Sequence, residues 1–128
     1  MNTPKEVIKQ YYEELIRGVR EKSVDLKKLN FASDIKVTGS DMEMEGEESV
    51  SMAWAAFTHI CNAITIEKQY FDENSACSII TCEPENGAPA SRYVEQVRVK
   101  NGKINEINVI YDTAAWAKII GKSPAAVE

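Results

Sequence analysis

The sequence predicts an α+β domain in which a curved antiparallel sheet packs on about three helices. Two apolar-faced helical segments come first, four β-rich runs follow, and a short helical segment comes last. We expect residues 1–121 to form this single domain and residues 122–128 to form a mobile tail.

The first helix is predicted from its start signal and its apolar spacing. Thr3 can cap the helix, Pro4 suits the first turn, and Glu6 completes a Thr-x-x-Glu capping box. Apolar residues then recur every three or four positions, namely Val7, Ile8, Tyr11, Tyr12, Leu15, Ile16 and Val19. We therefore predict an amphipathic helix of about four turns.

The next segments predict a short helix, a strand and a second long helix. Residues 24–29 suit a short helix, and residues 34–38 alternate as a strand. Residues 47–63 have a wide apolar surface and predict a helix that packs on the sheet. Trp54 and Phe57 on this helix are expected in the core or in a pocket wall, and the pattern does not separate the two.

Four β-branched or aromatic runs predict an antiparallel meander, at residues 64–71, 76–82, 91–100 and 104–111. Turn residues separate the runs, and Asn101-Gly102 is a two-residue hairpin signal. Asp112 then caps a last helix that Gly121 ends. Tyr111 and Trp116 either form a lid over a pocket or belong to an ordinary terminal helix docked on the sheet.

A two-residue turn at Asn101-Gly102 would set the register of the last hairpin. Val99 would lie opposite Ile104, and Glu95 opposite Asn108. One face would then carry Tyr93, Glu95, Val97, Val99, Ile104, Glu106, Asn108 and Ile110, and the other Val94, Gln96, Arg98, Ile107, Val109 and Tyr111. Each face is mixed, so alternation does not decide which one is buried.

Glu95 is the main candidate for a polar group inside a pocket. If its face points inward, the loss of water raises the pKa of the carboxyl, and the neutral acid can donate a hydrogen bond with Asn108 beside it. The alternative is that Glu95 points to solvent.

Composition excludes several classes of function. The 15 basic residues are scattered and the net charge is -5, so the chain has no basic stripe for nucleic acid. No apolar run is long enough to span a bilayer, and we expect a cytoplasmic protein without a membrane partner. The three cysteines are predicted to be buried, reduced thiols.

Neither a metal nor a cofactor is predicted. His59 is the only histidine, and the cysteines lack the paired spacing of a zinc site. The acidic run at residues 41–48 lacks the ligand order of a calcium loop. Its acids alternate with Met42 and Met44, which predicts a strand with one wet face. Glycines are isolated, so no phosphate-binding loop is present.

Two short stretches, with this order of elements, resemble the nuclear-transport-factor-2-like superfamily. The stretches are Gln10-Tyr11-Tyr12-Glu13 and the run from Tyr93 to Gly102. That superfamily includes ketosteroid isomerase and SnoaL-like polyketide cyclases, and the resemblance covers about residues 3–117 by pattern. It implies a cone-shaped, cystatin-like fold and a homodimer formed through the sheet face.

The resemblance also implies roles for individual residues. Tyr12 matches the phenol that donates to the substrate oxygen in ketosteroid isomerases, and Glu95 matches their protonated carboxylic acid. Their proton-shuttling carboxylate lies on the first strand, where this chain has Gly39, and Asp41 is the nearest acid. The candidate catalytic residues are therefore Tyr12, Glu95 and Asp41, and the candidate ligand-binding residues are Trp54, Phe57, Asn108, Tyr111 and Trp116.

Two functions are compatible with these observations. The first is a pocket for a small hydrophobic molecule, in a binding protein or in an isomerase- or lyase-type enzyme whose tyrosine and acid stabilise an oxyanion. The second is a non-catalytic interaction module that dimerises through the open sheet face carrying Val94, Gln96, Arg98, Ile107, Val109 and Tyr111.

Overall fold

The computed structural model describes residues 2–121, so the predicted tail at 122–128 lies outside the described residues. The elements in chain order are α1 (Pro4–Glu21), a 3₁₀ helix (Leu26–Leu29), β1 (Phe31–Gly39), β2 (Glu43–Glu45), α2 (Glu47–Ile60), β3 (Cys61–Phe71), β4 (Ser75–Pro84), β5 (Ser91–Lys100), β6 (Lys103–Ile110) and α3 (Thr113–Ile119). This is the α+β architecture that the sequence predicts.

Helix α1 begins at the predicted capping box. The backbone N–H of Glu6 donates to Thr3 Oγ1 at 3.2 Å, and the backbone N–H of Thr3 donates to Glu6 Oε1 at 2.9 Å. The helix has 18 residues, or about five turns, one more than predicted. Its apolar stripe packs against the inner face of the sheet and is buried in the core between them.

Helix α2 ends earlier than its apolar pattern predicts. It stops at Ile60, and Cys61 already has extended backbone at the start of β3. No glycine or proline marks this boundary, and the β-branched run that follows favours the strand.

The six strands form one sheet in the order β2-β1-β6-β5-β4-β3. Strands β3 to β6 are the predicted antiparallel meander. Strand β1, however, pairs with β6, the last strand of the meander, and these two strands run parallel. The predicted curved sheet and its antiparallel meander are confirmed, and β1 adds one parallel pair, so the sheet as a whole is mixed rather than antiparallel.

A bulge at Asn105 corrects the predicted register of the last hairpin. Val99 lies opposite Ile104, as predicted, but Arg98 lies opposite Glu106, so Asn105 is an extra residue in β6. The shift turns Ile107 and Val109 inward and places Asn108 opposite Gln96, on the outer face. Ile104 lies on the Glu95 face as predicted, but the predicted pairing of Asn108 with Glu95 and the predicted faces of β6 beyond the bulge are wrong.

Among the described residues, no helix has the length and apolar character that a membrane span requires.

Candidate functional site

A cavity of about 600 Å³ lies between the inner face of the sheet and the helices. Most of its wall is aliphatic or aromatic, and the polar side chains on it are few. Its lining residues are Leu15, Asp41, Met42, Met44, Ala53, Trp54, Ala56, Phe57, Ile60, Tyr93, Glu95, Val109, Tyr111, Thr113, Trp116, Ala117 and Ile120. A volume of this size accommodates a drug-sized molecule.

Glu95 is the buried polar group of this cavity. Its residue surface is only 3 % exposed, and its carboxyl is held from the side of α1. Tyr12 Oη donates to Glu95 Oε1 at 2.7 Å, and Tyr11 Oη donates to the same oxygen at 3.1 Å. Trp54 Nε1 in turn donates to Tyr11 Oη at 2.7 Å. Both of these phenols reach Oε1, and within residues 2–121 no donor reaches Glu95 Oε2.

The charge state of Glu95 follows from this burial. Loss of water raises the pKa of the carboxyl, and the hydrogen bonds from Tyr12 and Tyr11 lower it by a smaller amount. The resulting pKa is about 7. Burial, and then the nearby charge of Glu95, raise the pKa values of both phenols well above the ordinary range, so they remain donors. Because Oε1 already accepts two hydrogen bonds, the proton of the neutral acid lies on Oε2.

A cross-strand row fixes Glu95 within the sheet. Ser78 on β4 and Val109 on β6 are its neighbours, and Gly39 lies beyond Val109 on β1. Ser78 is fully buried and accepts a hydrogen bond from Gln69 Nε2 at 3.0 Å. Glu95 therefore lies on an interior strand of the sheet, which is paired with a neighbouring strand on each side.

Helix α3 covers one side of the cavity through Trp116. The Trp116 ring centroid lies 5.8 Å from those of Tyr93 and Tyr111, and 5.9 Å from that of Phe57. Asn86, on the loop before β5, donates through Nδ2 to the carbonyls of the helix's last turn at 2.9 and 3.1 Å. Within the described chain, the indole N–H of Trp116 is buried without a partner.

Gly39 lies at the end of β1, at the position where the resemblance places a catalytic carboxylate. A Cβ on Gly39 would lie 2.8 Å from Tyr111 Cε1 and 2.8 Å from Met42 Cγ. The Tyr111 ring therefore occupies the space that a side chain at residue 39 would need. Tyr111 Oη also donates to Asp41 Oδ1, and burial raises the pKa of this phenol to about 12.

Solved structures share this arrangement of strands and helices. An NTF2-like protein of unknown function from Burkholderia pseudomallei is 17% identical, with a TM-score of 0.71 over 94% of this chain and 99% of that one. A cystatin-like protein from Methylobium petroleophilum is 22% identical, with a TM-score of 0.68 over 84% and 74%. A ketosteroid-isomerase-like protein from Catenulispora acidiphila, in complex with trimethylamine, is 18% identical, with a TM-score of 0.67 over 88% and 93%.

The fold is NTF2-like. The predicted resemblance and the cystatin-like architecture are thus confirmed at the level of the fold. The sequence matches no protein-family model and no curated protein. A shared fold does not determine chemistry, so the function of this chain depends on its own site residues.

The structure brings most of the predicted site residues together. Six of the eight line the cavity, namely Asp41, Glu95, Trp54, Phe57, Tyr111 and Trp116. Tyr12 reaches Glu95 but is not part of the cavity wall. Asn108 lies on the outer face, where it contacts Thr38 and Gln96, so its expected place in the pocket is wrong.

Several residues near the site did not stand out in the sequence. Tyr11 belongs to the apolar stripe of α1, and the spacing that predicts this stripe does not show that the hydroxyl of Tyr11 donates to Glu95. Tyr93 lies two residues before Glu95 on the same strand face, which could have indicated its place in the wall. Met42 and Met44 differ from these two residues, because their alternation with acids predicts a strand with one wet face, and both line the cavity.

The thiols and acids elsewhere give no further site. Cys61 and Cys82 are buried, Cys77 is half-buried, and all three are free. His59 is exposed on α2. In residues 2–121 no group of three His, Cys, Asp or Glu side chains is arranged to hold a metal ion.

Proposed function

We propose that this protein binds a small, neutral, largely apolar molecule in the cavity and forms a hydrogen bond through Glu95 with one oxygen of that molecule. The observation that carries the proposal is a single buried acid, Glu95, in a cavity whose wall is otherwise mostly apolar. Such a combination of apolar walls with few polar groups is typical of small-molecule sites.

The charges around the cavity favour a neutral ligand. Among the described residues, its wall includes the acids Asp41 and Glu95 and no lysine, arginine or histidine. A carboxylate or phosphate ligand would therefore enter without a counter-ion. A carbonyl oxygen, in contrast, can accept the proton that neutral Glu95 carries on Oε2.

Binding is better supported than ketosteroid-isomerase chemistry. That reaction needs a donor for the substrate oxygen and a carboxylate that moves a proton at carbon. Glu95 suits the first role. The residue at the β1 position of the proton-moving carboxylate is Gly39, and the Tyr111 ring packs over it. Asp41 is exposed and hydrogen-bonded to Tyr111, and Tyr12 is hydrogen-bonded to Glu95. An enzymatic version would therefore need a proton route other than that of the isomerase.

The proposal is tested with matched aryl probes. We expect 4-acetylbiphenyl to raise the Tm of the wild type more than biphenyl does at pH 6, because Glu95 is then mostly protonated. This ketone preference should vanish by pH 8.5, where the acid has lost its proton. In Glu95→Gln it should persist at both pH values, because the amide N–H donates without titrating.

Two controls keep this result specific. Glu13→Gln removes an exposed acid on α1 and should leave the ketone preference and its pH dependence as in the wild type. Equal stabilisation by ketone and hydrocarbon at pH 6, or no stabilisation by either, would contradict the proposed role of Glu95.

A second candidate function is a homodimer through the outer face of the sheet. The bulge at Asn105 leaves Ile79, Val94 and Ile110 in a cross-strand apolar row on this face, and Ile110 is 67 % exposed. Arg98 pairs with Glu106 on the same face, four residues along β5 from Val94. Opposite charges on one face suit a two-fold contact, in which each copy offers both signs.

The dimer is tested by light scattering during size-exclusion chromatography. The wild type should run as a dimer and Ile110→Asp as a monomer. Met52→Asp changes an equally exposed apolar residue on α2 and should leave the dimer intact. A wild type that stays monomeric at high concentration would exclude this contact.

A further inference from the structure

The cavity has a second polar position, at the end of β1. Asp41 lines the cavity although it lies on the exposed turn between β1 and β2. Its carboxylate accepts the hydroxyl of Tyr111 through Oδ1. Within residues 2–121 no other hydrogen-bond donor reaches this carboxylate, so Oδ2 retains its full capacity to accept.

Tyr111 holds this carboxylate at the edge of the cavity. The Tyr111 backbone N–H donates to Ser40 Oγ at 2.9 Å, and its ring packs over Gly39. The backbone N–H of Asp41 also points to Tyr111 Oη, at 3.5 Å. The turn is closed by the backbone N–H of Gly39, which donates to the Met42 carbonyl at 2.8 Å, and Tyr111 adds contacts with three successive residues, 39 to 41.

The sheet register sets the separation of the two polar positions. Gly39, Val109 and Glu95 lie side by side on β1, β6 and β5. Two strand spacings place the Cα atoms of Gly39 and Glu95 about 10 Å apart. Asp41 follows Gly39 by two residues, so a ligand that reaches both carboxyl groups spans on the order of 10 Å.

We propose that the Asp41–Tyr111 pair is a second polar subsite of the cavity, which binds a hydrogen-bond donor, a hydroxyl or amino group, at the far end of the ligand. This inference rests on the proposed binding function. It defines the ligand class as an elongated, apolar molecule with an oxygen acceptor at the Glu95 end and a donor at the Asp41 end. The apolar side chains between the two ends suit the body of such a molecule.

Three biphenyl ketones test the subsite, with dissociation constants measured by calorimetry at pH 6. The probes are 4-acetylbiphenyl, 4-acetyl-4′-hydroxybiphenyl and 4-acetyl-4′-methoxybiphenyl, which share the acetyl end and differ at the other. The wild type should bind the hydroxy compound about five- to tenfold more tightly than the methoxy compound, a modest ratio because Asp41 is partly in contact with water.

The variants separate this subsite from the Glu95 end. Asp41→Ala should bring the hydroxy and methoxy compounds to within about twofold of each other, mainly by weakening the binding of the hydroxy compound. Tyr111→Phe removes the hydroxyl contact with Asp41 but keeps the ring over Gly39 and the backbone bond to Ser40, so it should lower the preference without abolishing it. Glu43→Ala removes an exposed acid from the neighbouring strand and should behave as the wild type.

The outcomes distinguish the two proposals. A wild-type preference below twofold, or one that survives in Asp41→Ala, would overturn the subsite while leaving the proposed binding function in place. Failure of all three ketones to bind the wild type would overturn both.

Discussion

Replacing Glu95 by glutamine gives a stability change whose pH dependence reports the buried carboxyl. The pKa rises from 4.5 to about 7 on folding, so between these values the unfolded chain releases a proton that the folded chain retains. The wild type therefore loses about 1.4 kcal/mol of unfolding free energy for each pH unit in this window. The loss is complete above pH 7 and amounts to about 3 kcal/mol.

Glutamine keeps the shape of the side chain and an oxygen for both phenols, but it does not titrate. Relative to the wild type, Glu95→Gln should gain about 3 kcal/mol between pH 4.5 and pH 7.5, as measured by urea denaturation at unit steps of pH. Glu13→Gln, an exposed change on α1, should show a difference that is flat with pH. A flat difference for Glu95→Gln as well would refute the assignment of Glu95 as a desolvated acid.

Three further changes test the surroundings of this acid. Tyr12→Phe removes a hydrogen bond that favours the carboxylate, so carbon-detected NMR should show the pKa of Glu95 above 7; an unchanged pKa would exclude the 2.7 Å contact. Trp116→Phe should cost less than about 1 kcal/mol, because the lost ring area is offset by removing a buried, unpartnered N–H; a larger loss would show that the indole has a partner. Gly39→Ala should lower the unfolding free energy by about 1–3 kcal/mol, because its Cβ overlaps Tyr111, and a neutral result would show that the ring moves freely.

The parts of the fold that depend on local signals could be predicted from the sequence. The capping box at Thr3 fixes the start of α1, and Asp112 caps α3 through the backbone N–H groups of Ala114 and Ala115, as expected. The Asn101-Gly102 turn has the positive φ values, 52° and 77°, that the hairpin signal implies. Each of these signals acts within a few residues, so no distant partner can override it.

The face of β6 required information that strict alternation leaves out. Ile104, Ile107 and Val109 are all buried, and their spacing of three and then two residues fits a strand only if one extra residue is inserted. The apolar spacing therefore contained a signal for the bulge at Asn105. Without the bulge, Asn108 would have been placed beside Glu95, and both sheet faces would have stayed mixed.

The association of Glu95 with Tyr11 and Tyr12 depends on contacts across more than 80 residues of chain. Periodicity places the two tyrosines in the core but cannot say which strand residue meets their hydroxyls. The resemblance supplied Tyr12 and Glu95 as a pair, and the structure adds that the phenol supports the acid from behind the cavity wall. Tyr12 therefore contacts Glu95, and Glu95 rather than Tyr12 lines the cavity.

A buried acid at residue 95 needs a functional explanation, because glutamine would fill the same space without the stability loss near neutral pH. Both phenol hydrogen bonds reach Oε1, which an amide oxygen would also satisfy. What glutamine cannot offer is an oxygen that presents a proton to the cavity at pH 6 and accepts one at pH 8. Acids with such a displaced pKa are concentrated at functional sites, where the exchangeable proton is used. Under the proposed function, the stability lost at Glu95 is the cost of a group that changes from hydrogen-bond donor to acceptor with pH, which an amide cannot do.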